Sequence, residues 1–110
     1  MFSPELKKGS LELVVLTLLS EQPRHGYDIG RLIEARSQGR LQFRVTTLYP
    51  VLYRMENQGW IKSRWVERDG EQRRNYYRLT PKGERVLVEQ RENWRAFTAT
   101  INLVIGEGHA

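Results

Sequence analysis

Cysteine is missing from all 110 residues. Disulfides and thiolate metal sites are thereby excluded, and nothing in the chain calls for an oxidising compartment. Histidine is almost as scarce, with only His25 and His109. Neither has a partner at ligand spacing, so no metal site is expected, and no nucleophile–base pair that would make an enzyme. The nine glycines are scattered and form no phosphate-cradling loop, so no cofactor is expected. Uninterrupted apolar runs are short; none approaches the roughly 18 residues of a membrane span. Glu5 and Glu12 interrupt the N-terminal stretch, and no small-residue cleavage site follows. The expectation is a cytoplasmic protein with no membrane contact.

Charge, by contrast, is abundant and unevenly placed. The formal net charge is +5. Residues 40–78 hold nine Lys/Arg and four Asp/Glu, while the remainder holds nine of each. All of the excess positive charge is therefore local, which favours a polyanionic partner. A solvated face that happens to be basic is the plainer alternative.

Residues 46–60, TTLYPVLYRMENQGW, organise the rest. Leu48, Val51, Leu52 and Met55 follow i, i+3, i+4, i+7 spacing, which predicts an amphipathic helix. Capping at Thr47 makes Pro50 the third helical residue, where a missing N–H costs nothing. Gly59 is expected as a left-handed stop. Thr47, Tyr49, Tyr53 and Arg54 look outward. Outward tyrosines are odd on a plain surface helix, although a core helix with incidental tyrosines is the bland reading.

Ahead of this stretch, residues 1–9 read as a mobile polar lead-in. Ser10 is expected to cap a helix, SLELVVLTLLSEQ, that is apolar on most sides and stopped by Pro23. A second helix is expected from His25 or Gly26 to Gly39. His25 has two readings: a phosphate contact at the helix start, or a capping and packing residue. Leu41, Phe43 and Val45 alternate with polar residues, the period of a short strand or extended linker.

Behind it, WIKSRWVER and RNYYRL read as two strands around Asp69-Gly70, a turn signal. Ile61, Ser63 and Trp65 share one face of the first; Tyr77 and Leu79 are expected to face the core from the second. The turn length is open from sequence. Arginines near the tip, Arg68, Arg73 and Arg74, resemble a wing on a phosphate backbone. A basic edge hairpin that discourages aggregation is the alternative. Thr80-Pro81 then opens a last helix reaching about Ile105. Leu87, Gln90, Trp94, Phe97, Ile101 and Val104 are spaced 3-4-3-4-3, a heptad seam. A homodimer through this helix is expected; the stripe folding back on its own chain is the alternative. The tail GEGHA is expected to fray.

The layout, three helices, a basic hairpin and a long helix, is mainly α with a small β-hairpin. It amounts to a winged helix-turn-helix over residues 1–80 with a C-terminal dimerisation helix and tail over 81–110. A protruding helix fits a major groove, and its first residues reach base edges. Double-stranded DNA is thus the expected partner. Thr46, Thr47, Tyr49 and Pro50, then Tyr53 and Arg54, are the candidate readers, with Arg68, Arg73, Arg74, Tyr76 and His25 as further DNA contacts. Trp65 and Tyr76 are the candidates for RNA stacking, but two strands make a poor platform. A module for protein or RNA contacts is the rival.

Four pieces of the chain resemble the PadR-type transcriptional regulators. They are Leu11-Glu12-Leu13, His25-Gly26-Tyr27-Asp28-Ile29, Thr47-Leu48-Tyr49-Pro50 continuing through Leu52, Arg54, Glu56 and Gly59, and Tyr76-Tyr77-Arg78-Leu79-Thr80 with Gly83. The resemblance covers roughly residues 9–105. It implies a repressor, dimeric through the C-terminal helix, on a pseudo-palindromic operator. It also implies a small aromatic or hydrophobic effector, with Trp94 where a flat ligand would stack. Aromatic side chains along a helical seam are otherwise ordinary packing.

Overall fold

The computed structural model describes residues 2–68 and 70–107, apart from the Lys8 side chain. The elements in order are α1 (Pro4–Glu21), β1 (Arg24–His25), α2 (Gly26–Arg36), α3 (Val45–Asn57), β2 (Ile61–Val66), β3 (Arg74–Leu79) and α4 (Pro81–Val104). This is the winged helix-turn-helix expected, with one strand more.

The first helix begins earlier than its apolar stripe indicates. Ser3, not Ser10, is the cap, and its side chain accepts the Leu6 N–H at 3.4 Å. Pro4 occupies the first turn and Glu5 lies at its positive end. The mobile lead-in is thus corrected: residues 4–10 are helical. Gly9 is tolerated there because nothing crowds it and its neighbours propagate the helix.

From α1, Leu11, Val15, Leu16, Leu18 and Leu19 enter the core. Ile29 and Ile33 meet them from α2, Leu48, Leu52 and Met55 from α3. Ile61 and Tyr77 close it from the sheet, Leu87 from α4. Burial of this one apolar cluster is the dominant favourable term. Leu87 is 5% exposed, so it belongs to its own chain's core and not to an outward seam, a correction to the heptad reading.

The sheet order is β1-β3-β2, antiparallel throughout. Ile61 lies opposite Leu79, Ser63 opposite Tyr77 and Val66 opposite Arg74. The core faces match expectation. The turn does not collapse to two residues; residues 67–73 form the tip, and Asp69 lies outside the described residues. Residues 41–44 form no strand, because Leu41 and Phe43 anchor on the core individually.

Two joints hold the helices at fixed angles. Glu21 accepts both Arg36 guanidinium nitrogens at 2.8 and 2.7 Å, and Arg24 at 2.7 Å. Arg24 also donates from Nε to the Leu18 carbonyl at 3.0 Å, which satisfies a buried cation between α1 and α2. The second joint ties α3 to α4. Gly59 has φ +79° and the Trp60 N–H donates to the Met55 carbonyl at 3.1 Å, a Schellman-type stop. The Thr80 hydroxyl reaches the carbonyls of Gly59 (2.6 Å) and Trp60 (3.0 Å) while accepting the Gly83 N–H at 3.0 Å. A Cβ on Gly83 would collide with the Trp60 carbonyl, so only glycine lets α4 start this close.

Candidate nucleic-acid interface

The candidate reading helix, α3, starts two residues ahead of the expected cap. Arg44 holds the cap position without a side-chain bond, and the Thr47 and Leu48 amides both donate to its carbonyl at 2.9 Å. Thr47 is therefore not the cap. Its hydroxyl is free of that duty because Phe43, pinned on the core, sets the entry path instead. Pro50 consequently sits inside the helix. Lacking an N–H, it leaves the Thr46 carbonyl without its i+4 donor. Both residues are exposed, so water can satisfy that carbonyl.

Leu48, Leu52 and Met55 anchor one face of α3. The opposite face carries Thr46, Thr47, Tyr49, Pro50, Tyr53 and Arg54, all exposed. Arg54 leans away from the others, with its guanidinium 3.4 Å from the Glu12 carboxylate of α1. Such an exposed pair is weak and leaves the cation available.

Beside α3 stands the hairpin of β2 and β3. Ser63 donates from its amide and hydroxyl to Glu56 at 3.1 and 2.7 Å, fixing the wing's root to α3. Toward the tip, Arg73 lies 5.1 Å over the Trp65 ring and Arg68 lies 5.5 Å over the Tyr76 ring. Stacking holds both guanidinium groups in place without neutralising them. An open cleft of about 400 Å3 separates wing from reading helix, lined in part by His25, Tyr49, Trp65, Arg73 and Arg74. Tyr49, His25, Arg73 and Arg74, distant in sequence, thus meet at one cleft.

His25 has a structural role here. Its Nδ1 accepts the Asp28 N–H at 3.2 Å and caps α2, and its ring meets Tyr76 edge-on at 5.3 Å. Burial holds the imidazole below its ordinary 6.5, with Arg74 pushing the same way and Asp28 opposing. The neutral form is the one that can accept at Nδ1. β1 places this residue: His25 lies opposite Tyr76 in the third strand, which two-residue periodicity cannot reveal.

A second surface lies across the molecule. A groove of about 1040 Å3 runs between α1 and α4, lined by Leu6, Leu13, Trp94, Phe97 and Ile101 among others. Trp94 is 49% exposed and Phe97 62%, so their own chain leaves them largely uncovered. Phe2 and Leu6, which fall within the expected polar lead-in, also line this groove. The Ser3-Pro4-Glu5 sequence, the same start signal as Thr80-Pro81 with Glu84, marks the helix that carries Leu6.

An exposed polar helix beside a basic wing is the geometry of a duplex reader. The model of the transcriptional regulator PadR-like family matches residues 15–89, taking in the reading helix, the wing and the start of α4. The chain belongs to this family. It resembles a transcriptional regulator from Clostridium thermocellum at 33% identity and a TM-score of 0.85, covering 93% of this chain and 96% of that one. A PadR family regulator from Eggerthella lenta gives 32% identity and a TM-score of 0.81, covering 92% and 86%. Transcriptional regulator YqjI of Escherichia coli is 34% identical over 84 residues, which are 76% of this chain but only 39% of YqjI. As a PadR-like protein the chain is a DNA-binding transcriptional regulator and not an enzyme. Among the described residues no helix is long and apolar enough to cross a membrane.

Proposed function

We propose that this PadR-like chain is one half of a homodimeric repressor that reads a pseudo-palindromic operator. The observation that carries the reading is the uncovered apolar surface of α1 and α4. Trp94, Phe97 and Ile101 lie 40–62% exposed along the groove between the two helices. A contiguous patch of this kind on a small soluble body marks an association surface. A second copy supplies the matching surface, since a twofold contact sets the same patch against itself. In that arrangement residues 1–80 read DNA, and α4 beyond Leu87 holds the dimer together.

The joint at Thr80 and Gly83 supports the mechanism. It ties the end of α3 to the start of α4, so the dimer helices fix the separation of the two readers. Successive major grooves recur about every 34 Å. Thr46, Thr47, Tyr49, Pro50 and Tyr53 face bases, while Arg54, Arg68, Arg73, Arg74, Tyr76 and His25 line the path of the backbone. A dimer so seated blocks polymerase by occupancy. A small aromatic or hydrophobic effector stacking on Trp94 in the groove would alter the helix packing and misalign the second reader.

Selection of duplexes from a random pool by the purified protein tests this. Inverted half-sites one helical turn apart are expected, bound in preference to single-stranded RNA. Isolated half-sites, or preference for the RNA, would overturn the reading.

A further inference from the structure

Gly26 opens α2 in a conformation any residue accepts: its φ is not among the positive values, which among the described residues are confined to Gln38, Gly39, Gly59, Gly70 and Gly106. Backbone freedom therefore does not explain this glycine, and its extra chain entropy disfavours folding. Space explains it. A Cβ built there would lie 2.5 Å from the Tyr49 hydroxyl oxygen, 2.6 Å from Cζ and 2.9 Å from Cε1. Those atoms are the far end of a side chain 42% exposed, free to swing outward. The cheapest relief of the clash moves Tyr49, not α2.

We propose that Gly26 is a positioning residue for DNA reading: its missing side chain is the seat that sets the Tyr49 ring between α2 and the wing. This rests on the reading of α3 as the DNA-facing helix. The seat binds three elements into one recognition surface. Gly26 follows directly on His25, the cap of α2 that touches Tyr76 of the wing. Tyr49 faces the cleft whose other wall carries Trp65 and Arg73. With its tip on Gly26, the phenol lies at the border of reading helix and wing instead of sampling solvent. Preorganisation of this kind acts on specificity, since base contacts discriminate and phosphate contacts do not. An alanine at 26 therefore leaves the electrostatic part of binding intact.

The test is a cycle of Gly26→Ala, Tyr49→Ala and the double variant, measured on the duplex that the wild type selects and on arbitrary duplex. Gly26→Ala is expected to weaken the selected duplex about tenfold and to leave arbitrary duplex within about twofold. Added to Tyr49→Ala, it should change nothing further, because the seat is then empty. Equal affinity of Gly26→Ala for the selected duplex, or effects of the two substitutions that multiply, overturns the proposal. If Gly26→Ala does not fold, rescue of folding in the double variant supports the contact, and failure of both overturns it. Nuclear Overhauser contacts between the Gly26 α protons and the Tyr49 ring provide a readout independent of DNA. A wild type that discriminates duplexes without that contact overturns this inference alone. One that shows the contact but discriminates no duplex overturns it together with the reading beneath it.

Discussion

Glu21 shows how one side chain fixes the angle between two helices. Hydrogen bonding to Arg36 and Arg24, with their charges, holds its carboxyl at about 2 against an ordinary 4.5, although some desolvation opposes this. A lowered carboxylate value stabilises the fold above the ordinary value, and that contribution fades as pH falls toward the folded one. The melting temperature of the wild type should thus exceed that of Glu21→Gln by a steady margin above pH 4.5, with the gap closing by about pH 2. A pH-independent gap would mean that packing, not charge, is what the substitution removes. Arg24, buried, donates to a main-chain carbonyl as well, so its role is not reducible to that ion pair.

Elements divide the labour of binding differently. The exposed face of α3 carries hydroxyl and aromatic groups, whereas the wing carries arginines stacked on aromatic rings. Truncating Tyr49 to alanine should cost the selected duplex about 1–3 kcal/mol. Gel-shift titration checks this, and undiminished affinity would remove Tyr49 from the reading set. Replacing Arg73 and Arg74 by alanine should weaken every duplex alike and flatten the salt dependence by roughly one to two units. A sequence-selective loss instead would move these arginines from backbone positioning to base reading. The wing keeps its aim because Glu56 of α3 receives two hydrogen bonds from Ser63 of β2.

At the scale of the whole molecule, α4 extends the body to 55 × 31 × 21 Å. As 24 helical residues it spans about 36 Å. Beyond Leu87 this helix leaves Trp94, Phe97 and Ile101 exposed along the groove beside α1, the surface on which the proposed second protomer would pack. Phe97→Glu should leave the protomer folded, since the side chain is 62% exposed, but should disrupt the dimer. Sedimentation at micromolar concentration should then find single subunits with unchanged helicity. A dimer that survives the substitution would place the interface elsewhere. Loss of operator binding should accompany dissociation, because one reader gains nothing from the other's register.

How much of this was legible in the chain follows from the range of each cause. Apolar spacing marked the helices and the core face of the hairpin, since Leu48, Leu52, Met55, Tyr77 and Leu79 obey periods of 3.6 and 2 that local backbone geometry imposes. The pieces around His25 and Thr47 made the family recognisable, and the clustering of arginine between residues 40 and 78 pointed to a polyanion. Helix starts were less secure. Val45 begins α3 ahead of Thr47 because tertiary anchoring of Phe43 sets the entry, and Ser3 begins α1 where Gly9 obscured it. The rest lay beyond local pattern. Strand β1, the burial of Leu87, the Glu21 joint and the seat of Tyr49 on Gly26 each depend on residues far apart in sequence. Periodicity assigns a side chain to a face of its own element; only packing decides which other element that face meets.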